Sequence, residues 1–264
     1  MKYTKMQGLG NDYLYVFGKV PENIADISKK LSNRHFGAGS DGMIYIDKSD
    51  IADFKMRIFN ADGSEAKMCG NGIRCVGKYV YDKGYTDKTK LKIETMSGIK
   101  YLDLQISNAK VKSVSVNMGV ATVSPQKTIN VDGEEVTLIP VSVGNPHAVI
   151  FVDDINKAPL LTLGKKIEHH ESFPDGVNVE FVEVLNENEL RMRVWERGSG
   201  VTMACGTGAC ASAAAAVSKK YCNMGSVISV YLDGGVLKIQ IAEDYTVTMT
   251  GPCETVYEGE TEIC

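Results

Sequence analysis

No Cys-x-x-Cys pair occurs in this 264-residue sequence, although it holds seven cysteines: Cys69, Cys75, Cys205, Cys210, Cys222, Cys253 and Cys264. Zinc ribbons and fingers need closer pairs. The four histidines, His35, His147, His169 and His170, are not spaced to complete a metal site either, so no metal is expected. Long apolar runs are also missing. The longest, Ala209–Val217, is built of small residues and interrupted by Ser212, too short to cross a bilayer. Net charge is −4 and no Lys/Arg cluster stands out, which argues against a nucleic-acid partner. The segment Met1–Asp12 is polar and Gly-rich, without the apolar core of a signal peptide. The expectation is a cytoplasmic protein without a disulfide scaffold. A Walker-type phosphate loop is absent as well.

What is present is an ordinary globular composition, 44% hydrophobic and 23% charged, in a length that suits one large domain or two ordinary ones. Alternating or β-branched runs predict strands at Leu14–Phe17, Met43–Ile46, Phe54–Phe59, Leu91–Glu94, Tyr101–Ile106 and Val111–Asn117. Further strands follow at Glu135–Val143, Ala148–Val152, Val179–Val184, Leu190–Trp195, Val227–Leu232, Val236–Ile241 and Thr246–Thr250, with a hairpin turn at Asp233-Gly234. Helical patterns are few. Glu22–Arg34 carries Ile24, Ile27 and Leu31 at helical spacing, and Asn156–Ile167 is a weaker candidate broken near Pro159. Gly72–Tyr81 and Gly206–Lys219 lack a broad polar face, which suits helices enclosed by sheet.

A repeat runs through the chain. Met56-Arg57-Ile58-Phe59-Asn60 aligns with Met192-Arg193-Val194-Trp195-Glu196, and Cys69-Gly70-Asn71-Gly72 with Cys205-Gly206-Thr207-Gly208, both at an offset of 136 residues. Gly10-Asn11 and Gly144-Asn145 recur at an offset of 134. The fold class that follows is α+β, in two pseudo-symmetric halves. Each is a mostly antiparallel sheet or barrel wrapped around a central helix. The halves are residues 1–118 with 252–264, carrying Cys69, and residues 119–251, carrying Cys205.

Each Cys-Gly-x-Gly opens a predicted helix. Amide groups without intrahelical acceptors, and the positive end of the helix dipole, favour an anion there. That setting predicts a lowered thiol pKa and a clamp for a carboxylate. Two such thiols suit inversion at carbon, where one face loses a proton and the other gains one. Packing is the reading for Cys75, Cys210, Cys222 and Cys253. A disulfide between Cys69 and Cys205 would be an inactive oxidised form. Gly37-Ala38-Gly39-Ser40-Asp41-Gly42 fits a dinucleotide pattern but has helix before and strand after, the reverse of what that motif needs, and is read as a helix-ending loop. Asn11, Asn60, Asn145 and Asn178 fall in predicted loops, and His147 alone would be read as structural. A Cys205–His147 pair would suit a hydrolase, which has no use for two equivalent thiols.

On these residues the sequence resembles the diaminopimelate epimerase family. The resemblance is carried by Gly8-Leu9-Gly10-Asn11-Asp12, by residues 57–65 and 68–75, by Gly144-Asn145-Pro146-His147, and by Glu196-Arg197-Gly198-Ser199-Gly200 leading to Ala204-Cys205-Gly206-Thr207-Gly208. It implies a cofactor-free homodimeric enzyme that interconverts LL- and meso-diaminopimelate for lysine and cell-wall precursor synthesis, with its site in a cleft between the halves. By resemblance, Cys69 and Cys205 are the acid/base pair, tuned by His147 and Glu196. Gly70-Asn71 and Gly206-Thr207 clamp the reacting carboxylate. Asn60, Asn178 and Arg197 hold the distal end, Glu196 lies near the ammonium, and Asn11 and Asn145 complete the contacts. One departure is Gly42, where some members carry Gln after the loop aspartate. The alternatives are a proline racemase-like enzyme, whose first Cys-Gly is followed by His where this chain has Asn71, and a non-catalytic amino-acid-binding module. A phenazine-type isomerase would lack the two-cysteine arrangement.

Overall fold

The structure, a computed structural model, describes residues 1–263. The sequence readings that include Cys264 lie, at that residue, outside the described part. The chain divides into two compact units, Met1–Val116 with Gly251–Cys264, and Asn117–Thr250.

In chain order the first unit holds β1 (Lys2–Gly8), β2 (Asn11–Phe17), α1 (Ile24–Ser32), β3 (Gly42–Asp47), β4 (Phe54–Asn60), β5 (Glu65–Ala66), α2 (Gly70–Asp82), β6 (Lys90–Thr95), β7 (Gly98–Ser107) and the start of β8 (Lys110–Val120). The second follows with β9 (Thr122–Val123), β10 (Lys127–Val131), β11 (Glu134–Ser142), β12 (Pro146–Phe151), α3 (Lys165–Glu168), β13 (Asn178–Asn186), β14 (Glu189–Glu196), β15 (Gly200–Val201), α4 (Gly206–Ser218), β16 (Val227–Leu232), β17 (Gly235–Ile241) and β18 (Thr246–Pro252). The last strand, β19 (Glu254–Glu260), belongs to the first unit again. Both unit boundaries fall inside strands, β8 and β18, so no linker composition marks them.

The internal repeat is a repeat of topology. In the first unit β1–β2 is antiparallel, β2–β3 parallel, β3–β4 and β4–β5 antiparallel, β4–β6 parallel, and β6–β7–β8 antiparallel. In the second unit β11–β12, β12–β13, β13–β14, β14–β15, β14–β16 and β16–β17–β18 follow the same order of hands. Each sheet packs on one helix. α2 touches β1, β2 and β7, and α4 touches β11, β12, β13, β14, β16 and β17. The small residues of α4 explain its enclosure: Ala209 through Ala216 are all fully buried. In α2 the approach is made at glycines, since a β-carbon on Gly77 would lie 2.8 Å from Leu104. α1 packs outside, on β3 and β4.

Three strands longer than a single bridge were not legible in the sequence. β1 buries only Met6 as an apolar side chain on its inner face, and β19 is largely exposed and defined by pairing with β1. β10 has just Ile129 and Val131 to signal it. The Asn156–Ile167 helix is corrected. Around Pro159 the chain makes a 3-10 turn (Ile155–Lys157), a wide turn (Leu160–Gly164) and only one helical turn, α3. Proline lacks the amide and crowds the preceding turn, so a continuous helix cannot form there. The Gly-rich loop at 37–42 does end a helix, with Gly39 N and Ser40 N donating to Leu31 O and Ser32 O, both at 3.0 Å.

Candidate active site

Each repeat ends a short strand and opens its enclosed helix with a cysteine at the N-cap. Cys69 has extended backbone (φ −138°, ψ 114°), and its sulfur accepts from Gly72 N at 3.2 Å. Cys205 does the same (φ −111°, ψ 109°), accepting from Gly208 N at 3.3 Å. A thiol at this position uses one of the amides that the helix leaves without an acceptor, and keeps the sulfur against the dipole's positive end.

In the first half-site the Cys69 thiol donates to Asn11 Oδ1 at 3.2 Å, and Asn11 Nδ2 donates to Asp41 Oδ2 at 2.8 Å. Asp41 also accepts from Asp12 N at 3.1 Å and from Arg34 at 2.9 Å, and Arg34 reaches Asp12 at 2.8 Å. Tyr13 is buried beside Asn11 and Cys69. Burial, then the negative charges of Cys69 and Asp41, push its phenol well above the ordinary value. Asn71 is buried, and its Oδ1 accepts from Arg74 at 3.0 Å, while Arg74 also donates to Gly70 O at 3.2 Å. The side chain of Asn71 is therefore turned into the helix start. Asn60 lies opposite Gly42 in the β3–β4 ladder and donates to Ser64 Oγ at 3.0 Å. A β-carbon on Gly42 would lie 2.2 Å from Phe59 O, so no side chain fits there on this backbone.

In the second half-site His147 and Glu180 are fully buried and bonded at 2.7 Å. His147 Nε2 meets Asn145 Oδ1 at 3.1 Å, Asn145 Nδ2 donates to Thr207 Oγ1 at 3.3 Å, and Thr207 Oγ1 is 3.6 Å from Cys205 Sγ. Glu196 accepts from Thr202 and lies beside the Cys205 thiol. Asn178 Nδ2 donates to Pro146 O at 3.1 Å, and its Oδ1 accepts from Arg197 N at 3.0 Å, which orders the backbone beside Glu196. The Arg197 guanidinium donates to Asp175 O at 2.9 Å. Glu168 pins the same turn, accepting from Trp195 Nε1 at 2.6 Å and Gly198 N at 2.7 Å.

The expected low pKa is corrected at Cys205. Burial first, then the charges of Glu196 and Glu180, push this thiol well above the usual range, although Thr207 and Gly208 N pull the other way. One amide and a dipole end do not outweigh loss of water plus two neighbouring carboxylates. Burial likewise raises Glu196 above the ordinary carboxylate value.

Glu180, Tyr13, Asp41 and Glu168 were missed from sequence. For Glu180 the signal was there: an acid set between the apolar Val179 and Phe181-Val182 of a predicted strand. Asp41 and Tyr13 join Cys69 only through folding.

The chain as a whole is similar to known proteins. The family described as diaminopimelate epimerase matches residues 3–124 and 139–256. The diaminopimelate epimerase of Acetivibrio thermocellus is 47% identical over 279 positions, covering 100% of this chain and 99% of that protein. That of Methanococcus maripaludis (strain S2) is 50% identical over 279 positions, covering 100% of both. Among solved structures, a PhzF-family phenazine biosynthesis protein of Bacillus anthracis superposes with a TM-score of 0.80 at 16% identity, covering 100% of this chain and 99% of that one, a likeness of fold.

Proposed function

We propose, starting from the fact that this chain belongs to the diaminopimelate epimerase family, that Cys69 and Cys205 are the two acid/base groups with which it interconverts LL- and meso-diaminopimelate. One sulfur, as thiolate, takes the α-proton. The other, as thiol, delivers its proton to the opposite face of the same carbon. After one inversion the two sulfurs have exchanged protonation states, which is the form ready for the reverse direction. Proton exchange with water restores the first form.

The observation that carries this reading is the duplicated N-cap arrangement, with sulfurs accepting from Gly72 N and Gly208 N at 3.2 and 3.3 Å. Negative charge grows on the substrate's α-carboxylate as the proton leaves, and the helix-start amides at Gly70-Asn71 and Gly206-Thr207 are the groups to stabilise it. Burial and the two carboxylates beside Cys205 favour its protonated form. His147 and Glu196 tune that sulfur. Asn60, Asn178 and Arg197 hold the distal end, Glu196 the ammonium, and Asn11 and Asn145 the remaining polar atoms. Family resemblance further supports a homodimer working in the cytoplasm. Light scattering at assay concentrations tests the first, and a fully active monomer would remove it.

The decisive experiment incubates reduced protein with LL-diaminopimelate in deuterated water, with proline in parallel. Formation of the meso isomer with deuterium at the inverted carbon, and no reaction of proline, is the expected result. Reaction of proline alone would replace the substrate, and binding without exchange would leave a binding module.

A further inference from the structure

We infer that Glu180 is a positioning residue of the second half-site, holding His147 at the head of a line of hydrogen bonds that ends on the Cys205 sulfur. This role rests on the reading of Cys205 as an acid/base group. His147 Nδ1 lies 2.7 Å from Glu180 Oε1, and Nε2 lies 3.1 Å from Asn145 Oδ1. A carboxylate only accepts, so the bond to Glu180 keeps a proton on Nδ1 and fixes the orientation of the ring. Asn145 Nδ2 in turn donates to Thr207 Oγ1, which leaves the Thr207 hydroxyl hydrogen for Cys205 Sγ.

The duplicated half runs its line differently, from the Cys69 thiol through Asn11 to Asp41, with no histidine–carboxylate pair on it among the described residues. In β2 and β3 the ladder pairs Tyr13 with Gly42, and in β12 and β13 it pairs His147 with Asn178. Two residues further along β3 and β13 stand Ile44 and Glu180. The equivalence is visible from the helices too. A β-carbon on Gly72 would meet Ile44 Cδ1 at 2.7 Å, and one on Gly208 would meet Glu180 Oε1 at 2.7 Å. Isoleucine therefore suffices to fill this place. Glu180 fills it with a fully buried carboxylate whose Oε2 meets no donor among the described residues. A buried charge so incompletely satisfied is a poor choice for packing alone. What it gains is the bond to His147. The titratable groups facing His147 are Glu180 from β13, Glu196 from the end of β14 and Cys205 from the start of α4, while its partner across β11 is the apolar Val141.

The test is nitrogen NMR of the histidine rings in the substrate-free protein at about pH 8, where an ordinary imidazole is neutral. His147 is assigned by loss of its signals in His147→Gln. In the unsubstituted protein Nδ1 is expected to carry a proton held by Glu180. In Glu180→Gln that Nδ1 signal is expected to move, and Glu180→Asp should restore it. In the inversion assay Glu180→Gln should lower kcat at least roughly tenfold with little change in KM and move a limb of the pH profile, with recovery in Glu180→Asp. A bare Nδ1 in the unsubstituted protein would overturn the inference, as would a Glu180→Gln ring and pH profile identical to it. If Glu180→Gln does not fold, the unsubstituted ring still decides. Failure of the unsubstituted protein to invert diaminopimelate would sink the functional reading, while the ring signals would still report on Glu180.

Discussion

Ile44 and Glu180 occupy one place in two copies of the same strand, and each supplies the atom that a β-carbon added at the third residue of its copy's enclosed helix, Gly72 or Gly208, would meet first. The backbone device is duplicated: an N-cap cysteine, its helix amide, and a glycine pressed on the sheet. What faces the device is not. One copy sets Tyr13 and an alkyl chain there, the other a histidine–carboxylate pair.

That difference separates two otherwise matched glycine substitutions. Gly72→Ala meets the end of an isoleucine, which can rotate. Gly208→Ala meets Glu180, which is held by His147, and comes within 3.2 Å of Cys205 Sγ. Denaturant titration should show a loss of about 1–3 kcal/mol for Gly208→Ala and a smaller one for Gly72→Ala. Equal losses would mean that the Glu180 side chain yields freely.

Cys69→Ala and Cys205→Ala should each reduce inversion by about 10²- to 10⁴-fold, with far-UV circular dichroism unchanged. Turnover within a few-fold of normal in both variants would remove the two-base mechanism.

The raised pKa of Cys205 comes from burial, then from Glu196 and Glu180. Iodoacetamide should therefore label it slowly at neutral pH and faster only in alkali. Removing the Glu196 charge lowers the thiol pKa, so Glu196→Gln should shift the labelling curve to lower pH. No shift would show that the two groups are uncoupled.

Glu196 itself makes a stability prediction. Its carboxyl is raised by burial, so its contribution is fully present below the unfolded carboxyl value and is lost as pH rises through the folded one. The melting temperature of Glu196→Gln relative to the unsubstituted protein should accordingly improve as pH increases, and the comparison is read by calorimetry.

Asp12 behaves in the opposite sense. Burial works to raise its pKa, but Arg34 and Lys5, both at 2.8 Å, outweigh burial and hold the carboxyl below the usual range. Its stabilisation is present above the unfolded value and disappears as pH falls through the folded one. Asp12→Asn should destabilise by about 1–3 kcal/mol near neutrality, with the gap to the unsubstituted protein closing in acid.

By itself the sequence determined the strands with one apolar face, the two helices with no polar face, and the duplicated Cys-Gly-x-Gly, because side-chain periodicity and glycine placement are local properties. It said little of β1, β10 and β19, where pairing to a neighbour rather than an apolar stripe makes the strand. The helix predicted across Pro159 failed at the proline itself. Of the candidate site, the two cysteines and the polar residues proposed around them were named from motifs. Only the tertiary structure decided that the Cys205 thiol is pushed up rather than down and that Glu180 stands behind His147. Both depend on burial and on charges contributed by separate strands, and desolvation and Coulomb energy follow distance in space rather than along the chain.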